Sequence, residues 1–151
     1  MSEDYESTRR RAVTDFNRCW DLIEQPTRTP EDDVELLTCA FSSRYHWSLI
    51  GGPKEFCIAD WMVGRVACAT NNPALALLFA HRAYDAASNG LGIDWMQASG
   101  AEGLARAYMC AGDATAFATW RATAEELVVA ISDEKEQRPI AQQLAELPAS
   151  I

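Results

Sequence analysis

Few residues in this chain sit at spacings that support chemistry. There are two histidines, His46 and His81, and no HxxxH, ExxH or CxxC spacing accompanies them. A structural or catalytic metal needs three or four such ligands, usually close in sequence on at least one element. No serine stands in a GxSxG setting, and no glycine-rich loop is placed to cradle phosphate. The pattern singles out no catalytic residue, metal ligand or cofactor site, and it points away from an enzyme. What chemistry remains is binding chemistry. His46 stands in Arg44-Tyr45-His46-Trp47 and, with Asp60 and Trp95, supplies the polar and aromatic groups for a buried pocket. His81 and Asp85 are four apart, the spacing of an ion pair on one helix face. Five tryptophans (Trp20, Trp47, Trp61, Trp95, Trp120) fall one to a helix, mostly within apolar stripes, and large buried area explains most of them.

The elements that must position these residues are helices. Apolar residues recur at three and four throughout, β-branched residues never alternate, and glycine and proline fall mainly between apolar runs. With 151 residues, 48% of them hydrophobic, the chain is long enough to bury one core as a single domain over residues 1–151. A net charge of −9 disfavours nucleic acid, because phosphate backbones are repelled. The basic run Arg9-Arg10-Arg11 is offset by Glu3, Asp4, Glu6 and Asp15 and reads as a solvated face. Five cysteines, an odd number, and the lack of a signal peptide suit a reducing cytoplasm. No apolar run reaches the roughly 18 residues of a membrane span, so no membrane partner is expected.

In chain order, Ser2–Glu24 is expected to bury Ala12, Val13, Phe16, Cys19, Trp20 and Ile23 on one face. Thr29-Pro30-Glu31-Asp32 starts a second helix, with a threonine cap and proline in the first turn. Its stripe reads Val34, Leu37, Phe41, Tyr45 and Ser48 or Leu49, and Gly51-Gly52-Pro53 ends it. A third helix over about 55–70 is apolar almost all round, so neighbours should cover most of it. Its charged interruptions are Asp60 and Arg65. Asn72 caps a fourth helix over about 73–88. A fifth, over about 93–111, carries Gly100 and Gly103, which allow close approach of another helix or a ligand, and the i,i+4 pair Glu102 and Arg106. Asp113 caps a sixth helix striped by Phe117, Trp120, Ala124, Leu127, Val128 and Ile131. A short last helix is expected to begin at Pro139, with Ile140, Ala141, Leu144 and Leu147 on one side.

The plan repeats. Cys68-Ala69-Thr70-Asn71 lines up with Cys110-Ala111-Gly112-Asp113, about 42 residues on, and Leu37, Phe41 and Arg44 match Leu75, Phe79 and Arg82 at an offset of 38. Small residues stand mid-way along two first helices, Gly64 and Ala105. The turns Asn71-Asn72 and Gly112-Asp113 follow, then alanines at Ala76 (or Ala118 one residue out of register), Ala83 and Ala124, with an aromatic at Tyr108. Over Trp61–Ile131 this resembles the tetratricopeptide (TPR) repeats, with a period of about 42 in place of the family's usual 34 or so and without its tryptophan and proline landmarks. The resemblance implies an all-α, right-handed stack of antiparallel helical hairpins, an α–α superhelix. It would have about six helices, in hairpins over about 5–50, 53–89 and 93–131, and a short C-terminal capping helix over about 139–147.

The resemblance further implies that the first helix of each hairpin lines a concave groove. Trp61 and Arg65 would face inward in one repeat, Glu102 and Arg106 in the next. Paired arginines suit a carboxylate or an acidic peptide segment, and Trp61 an apolar anchor. The bland reading of the same residues is that Arg106 pairs with Glu102 and Arg65 with an acid such as Asp60. The expected function is a non-enzymatic, cytoplasmic module that binds a protein or peptide partner. The alternatives are an all-α protein with a small-molecule pocket or active site built on His46, Asp60 and Trp95, and a homodimer that covers the exposed ends of the stack.

Overall fold

The computed structural model describes residues 3–151, and Ser2, the expected start of the first helix, lies outside them. Seven α-helices make up the described chain: α1 (Glu3–Ile23), α2 (Pro30–Ile50), α3 (Pro53–Ala69), α4 (Pro73–Ser88), α5 (Asp94–Ala111), α6 (Ala114–Val129) and α7 (Glu134–Ala145). No strand occurs among the described residues. Consecutive helices pair as α1–α2, α3–α4 and α5–α6, and these hairpins stack through α2–α3 and α4–α5. The backbones of the first helices also come close, α1 to α3 and α3 to α5, whereas α2, α4 and α6 meet one another only through long side chains. That difference places α1, α3 and α5 on the inner side of the stack. Helix α7 folds back onto α5 and α6. The fold is the all-α hairpin stack with a short C-terminal helix that the periodicity predicts.

Local chemistry sets the boundaries. Thr29 Oγ1 accepts from Asp32 N at 3.2 Å while Asp32 Oδ2 accepts from Thr29 N at 2.8 Å, a reciprocal cap that fixes the start of α2. Gly112 adopts φ 75°, which an L side chain rarely tolerates, and so ends α5 in the left-handed turn. Asp113 then caps α6 through a 3.0 Å bond from Ala116 N. Asn72 departs from expectation: its amide donates to Thr70 O and Oγ1, both at 2.9 Å, and gives α4 no side-chain cap. Helix α7 begins five residues before Pro139, because Asp133 caps it through Lys135 N at 2.8 Å. Pro139 is carried inside the helix on an exposed position, where water can satisfy the carbonyl that its missing N–H leaves free.

The core is built largely of small residues. Alanine is its commonest residue, with Ala67, Ala76, Ala80, Ala98, Ala101, Ala105 and Ala107 among those essentially buried. A Cβ at Gly64 would lie 3.2 Å from Ala80 N, and one at Gly100 would lie 3.1 Å from Tyr84 Cα. Backbone therefore meets backbone at the α3–α4 and α4–α5 crossings. In α6 and α7 the expected faces are buried: Phe117, Ala124, Val128 and Ile131 pack with Ile140, Leu144 and Leu147.

Helix α2 corrects its stripe. Val34 (65% exposed), Phe41 (40%), Tyr45 (61%) and Leu49 (57%) face solvent, and the helix buries Leu36, Ala40 and Ser43 instead. Two faces of this helix are apolar, and close packing against α1 and α3 selects the one with smaller residues. Phe41 nevertheless meets Phe79 edge to face at 5.7 Å. Arg44 Nε and Arg82 Nε share the buried carboxylate of Asp60, at 2.5 and 2.9 Å. The residues that echo each other in sequence thus stand side by side in space. Asp60 pairs with these two arginines and not with Arg65.

The α3–α4 crossing gives a direct test. Gly64→Val should lower unfolding stability by about 1–3 kcal/mol, because its Cβ forces two backbones apart. An unchanged urea midpoint would show the crossing to be slack.

Candidate functional site

The inner side of the stack holds a groove of about 520 Å³. Its walls come from α1 (Phe16, Trp20), α3 (Trp61), α5 (Trp95, Met96) and α7 (Ile140), with Lys54, Glu136 and Gln143 among its polar residues. The small residues of the helix crossings explain why it exists. Helices that touch through alanine and glycine leave no room for indoles between them, so the large rings sit at the edge of each crossing. Trp61 is fixed there by a bond from Nε1 to Ser99 O at 3.2 Å, and a Cβ at Gly103 would come within 3.3 Å of its ring. Gly103 thus makes room for the indole, and Gly100 for α4. Trp20 lies 5.8 Å from Trp61, centroid to centroid. All five tryptophans are only partly buried, and three of them line this groove. Trp47 lines a smaller hollow of about 230 Å³ with Val13, Phe16 and Ile58, and Trp120 packs on Tyr84 at 4.7 Å.

Beside the groove is a buried ionic cluster. Glu102 is fully buried. Its Oε1 accepts from Arg106 Nε at 2.8 Å and Nη2 at 2.6 Å, and lies 3.6 Å from Arg65 Nη1. Glu146, just past α7, offers Oε2 to Arg65 Nη2 at 3.0 Å and to Arg106 Nη2 at 3.2 Å. Arg106 Nη2 also donates to Gln143 O at 3.0 Å. The Arg65 guanidinium stands 5.7 Å from the Trp20 ring, a cation–π contact that joins cluster to groove. Two arginines and two glutamates make the cluster neutral, which is how buried charge is tolerated. Three buried side-chain atoms at this cluster have no hydrogen-bond partner among the described residues, Arg65 Nη1, Glu102 Oε2 and Gln143 Oε1, and a fourth, Arg121 Nε, lies on α6.

The structure brings together Trp61, Arg65, Glu102 and Arg106, as the repeat register implies. It does not bring His46 and Asp60 to Trp95. Asp60 is held between α2 and α4 by its arginines. His46 Nδ1 lies 2.8 Å from Ser42 O and therefore carries a hydrogen there, while Ser42 Oγ donates to Asp15 Oδ2 at 2.6 Å. Serine, histidine and aspartate meet at this spot, but the histidine nitrogen nearest Ser42 Oγ is a donor and cannot take its proton. His81 bonds Tyr108 OH at 2.9 Å through Nε2 rather than pairing with Asp85. Sequence reading missed Glu146 and Gln143, because no spacing rule links α7 to α3 and α5. No group of three or more His, Cys, Asp or Glu side chains among the described residues is placed to hold a metal ion.

All five cysteines are free thiols. Burial pushes Cys19 and Cys68 up to about 12 and Cys57 to about 11, and raises Cys39 and Cys110 as well. Thiolates are therefore scarce at neutral pH, the opposite of the lowered pKa that activates a cysteine nucleophile.

No family model, curated protein or solved structure matches this chain. No helix among the described residues is long and apolar enough to cross a membrane.

Two outcomes follow from the buried groups. Glu102→Gln leaves two buried arginines facing one carboxylate and should cost about 3–5 kcal/mol of stability, read by urea unfolding. A loss within experimental error would mean that water reaches the cluster. For the thiols, the folded chain holds protons that the unfolded chain releases from about pH 9. Stability should fall as pH rises from 9 towards 12, and the fall should be shallower in Cys19→Ala/Cys68→Ala. Parallel curves for the two proteins would refute the thiol contribution.

Proposed function

We propose that this chain is a tetratricopeptide-like adaptor module, a non-enzymatic cytoplasmic domain that binds a protein or peptide partner along its inner face. The groove carries this reading. It is apolar, open on one side, lined by Trp20, Trp61 and Trp95, and bordered by an arginine pair. Its volume falls in the range of ligand clefts, about 300–1,000 Å³. Half-buried indoles are the side chains that most often anchor a partner, since they offer large area at little cost in conformational entropy. Arg65 and Arg106 suit an acidic residue beside the apolar anchor. A small-molecule pocket built on His46 and Asp60 has less support, because both are engaged away from Trp95. Self-association is a second reading, and the exposed Val34–Phe41–Tyr45–Leu49 stripe of α2 favours it.

Panning a random peptide library on the full chain tests the groove. Enriched sequences should pair an aromatic residue with an acid. Ser99→Trp, which fills the groove from α5, should abolish their binding while helical content by circular dichroism stays unchanged. Peptides that bind both proteins equally well would overturn the reading. Sedimentation at twice the 16.7 kDa chain mass would support the dimer.

A further inference from the structure

The carboxylate now seated on the arginine pair belongs to the chain itself, and its seat is incomplete. Glu146 is 54% exposed and reaches both arginines through one oxygen. Arg65, with a side chain only 8% exposed, keeps Nη1 without a hydrogen bond among the described residues, the carboxylate oxygen Glu102 Oε1 standing 3.6 Å away. A built-in structural ion pair would be expected to satisfy such a donor. The body of α7 is held by other means, since Ile140, Leu144 and Leu147 are packed with Phe117, Val128 and Ile131. The Glu146 side chain can therefore leave for solvent while α7 stays in place.

We propose that Glu146 is a displaceable internal ligand. It occupies the Arg65–Arg106 site until the acidic side chain of a bound peptide, with its apolar neighbour in the tryptophan groove, takes its place. The inference rests on the groove reading above. Groove and arginines are one continuous surface: Trp20 lines the groove and stacks on Arg65, and Gln143 lines the groove and holds Arg106 through its carbonyl. The exchange keeps the cluster neutral, because one carboxylate enters as another leaves. An incoming carboxylate that forks across Arg65 can accept a hydrogen bond from Nη1, which has only the 3.6 Å ion-pair contact with Glu102 Oε1 and none with Glu146. Glu146 thereby sets the apparent affinity, since a partner binds only the fraction of molecules whose site is vacant.

The test uses the full chain as wild type, Glu146→Gln and Glu146→Ala. Two acetylated tripeptide amides serve as probes, Phe-Ala-Glu and Phe-Ala-Gln. NMR titration follows the Trp61 indole N–H and the Nε–H signals of Arg65 and Arg106. Both variants should bind the glutamate probe about tenfold more tightly than wild type, while the glutamine probe binds all three proteins equally and weakly. Equal affinity of the glutamate probe for all three proteins, with the Trp61 signal shifting in each, would overturn the Glu146 proposal and leave the groove standing. No shift of the Trp61 signal with either probe in any protein would overturn both. A variant that melts well below wild type without gaining affinity would show Glu146 to be purely structural. If Glu146→Gln fails to fold, Glu146→Ala carries the comparison.

Discussion

The architecture depends on how closely its helices approach. Gly64 against Ala80 and Gly100 against Tyr84 bring backbones into near contact, and the alanines of the core continue that spacing along each crossing. Close-packed interiors leave few voids, so a crossing lined with small residues has no space for a ring. The indoles must then lie at the margins of those crossings, while Phe117, Leu22, Leu36 and Leu104 fill the core between them. This one constraint accounts for partly buried tryptophans on the inner side and for exposed Phe41 and Tyr45 on α2. A core built from leucine and phenylalanine would have absorbed those rings and left no groove.

Where small side chains cannot supply specific contacts, charge does. Two buried acids, Asp60 and Glu102, each sit between two arginines drawn from different helices. Asp60 ties α2 to α4 on the side away from the groove, and Phe79 lies under both of its arginines, at 5.6 and 5.8 Å. Glu102 ties α3 to α5 beside the groove. The Glu102 cluster needs both of its arginines: they are largely buried and balanced by Glu102 and Glu146, so removing either would leave an uncompensated buried charge at a cost of several kcal/mol. These clusters set which helices meet and in what register. The alanine faces, being nearly featureless, would otherwise allow sliding.

Much of the fold was legible because periodicity and caps are local. Thr29, Gly112 and Asp113 marked ends that the structure keeps, and the α6 stripe packed as read. Helix α2 was misread because two of its faces are apolar, and only packing against α1 and α3 decides between them. The start of α7 was misread because Pro139 looked like a first-turn proline, while Asp133 caps a helix that accommodates it. For the site, repeat register was enough to put Trp61, Arg65, Glu102 and Arg106 together. The arginine partners of Asp60, and Glu146 itself, escaped because the pairs lie 16, 22, 81 and 40 residues apart, distances that no local rule spans.

The two junctions between second helices differ in kind. Phe41, Phe79 and the Arg44–Asp60–Arg82 clasp join α2 to α4. Between α4 and the third hairpin stand Tyr84 on Trp120 and His81 on Tyr108, ring against ring, with no clasp of this kind. Ionic contacts with partly exposed guanidinium groups weaken as salt is added, whereas apolar ring contacts weaken on cooling. The stack is thus seamed by two materials. Added salt loosens the partly exposed clasp between α2 and α4 more than the ring contacts and the buried Glu102 cluster that join the second and third hairpins, and the groove draws its walls from all three hairpins.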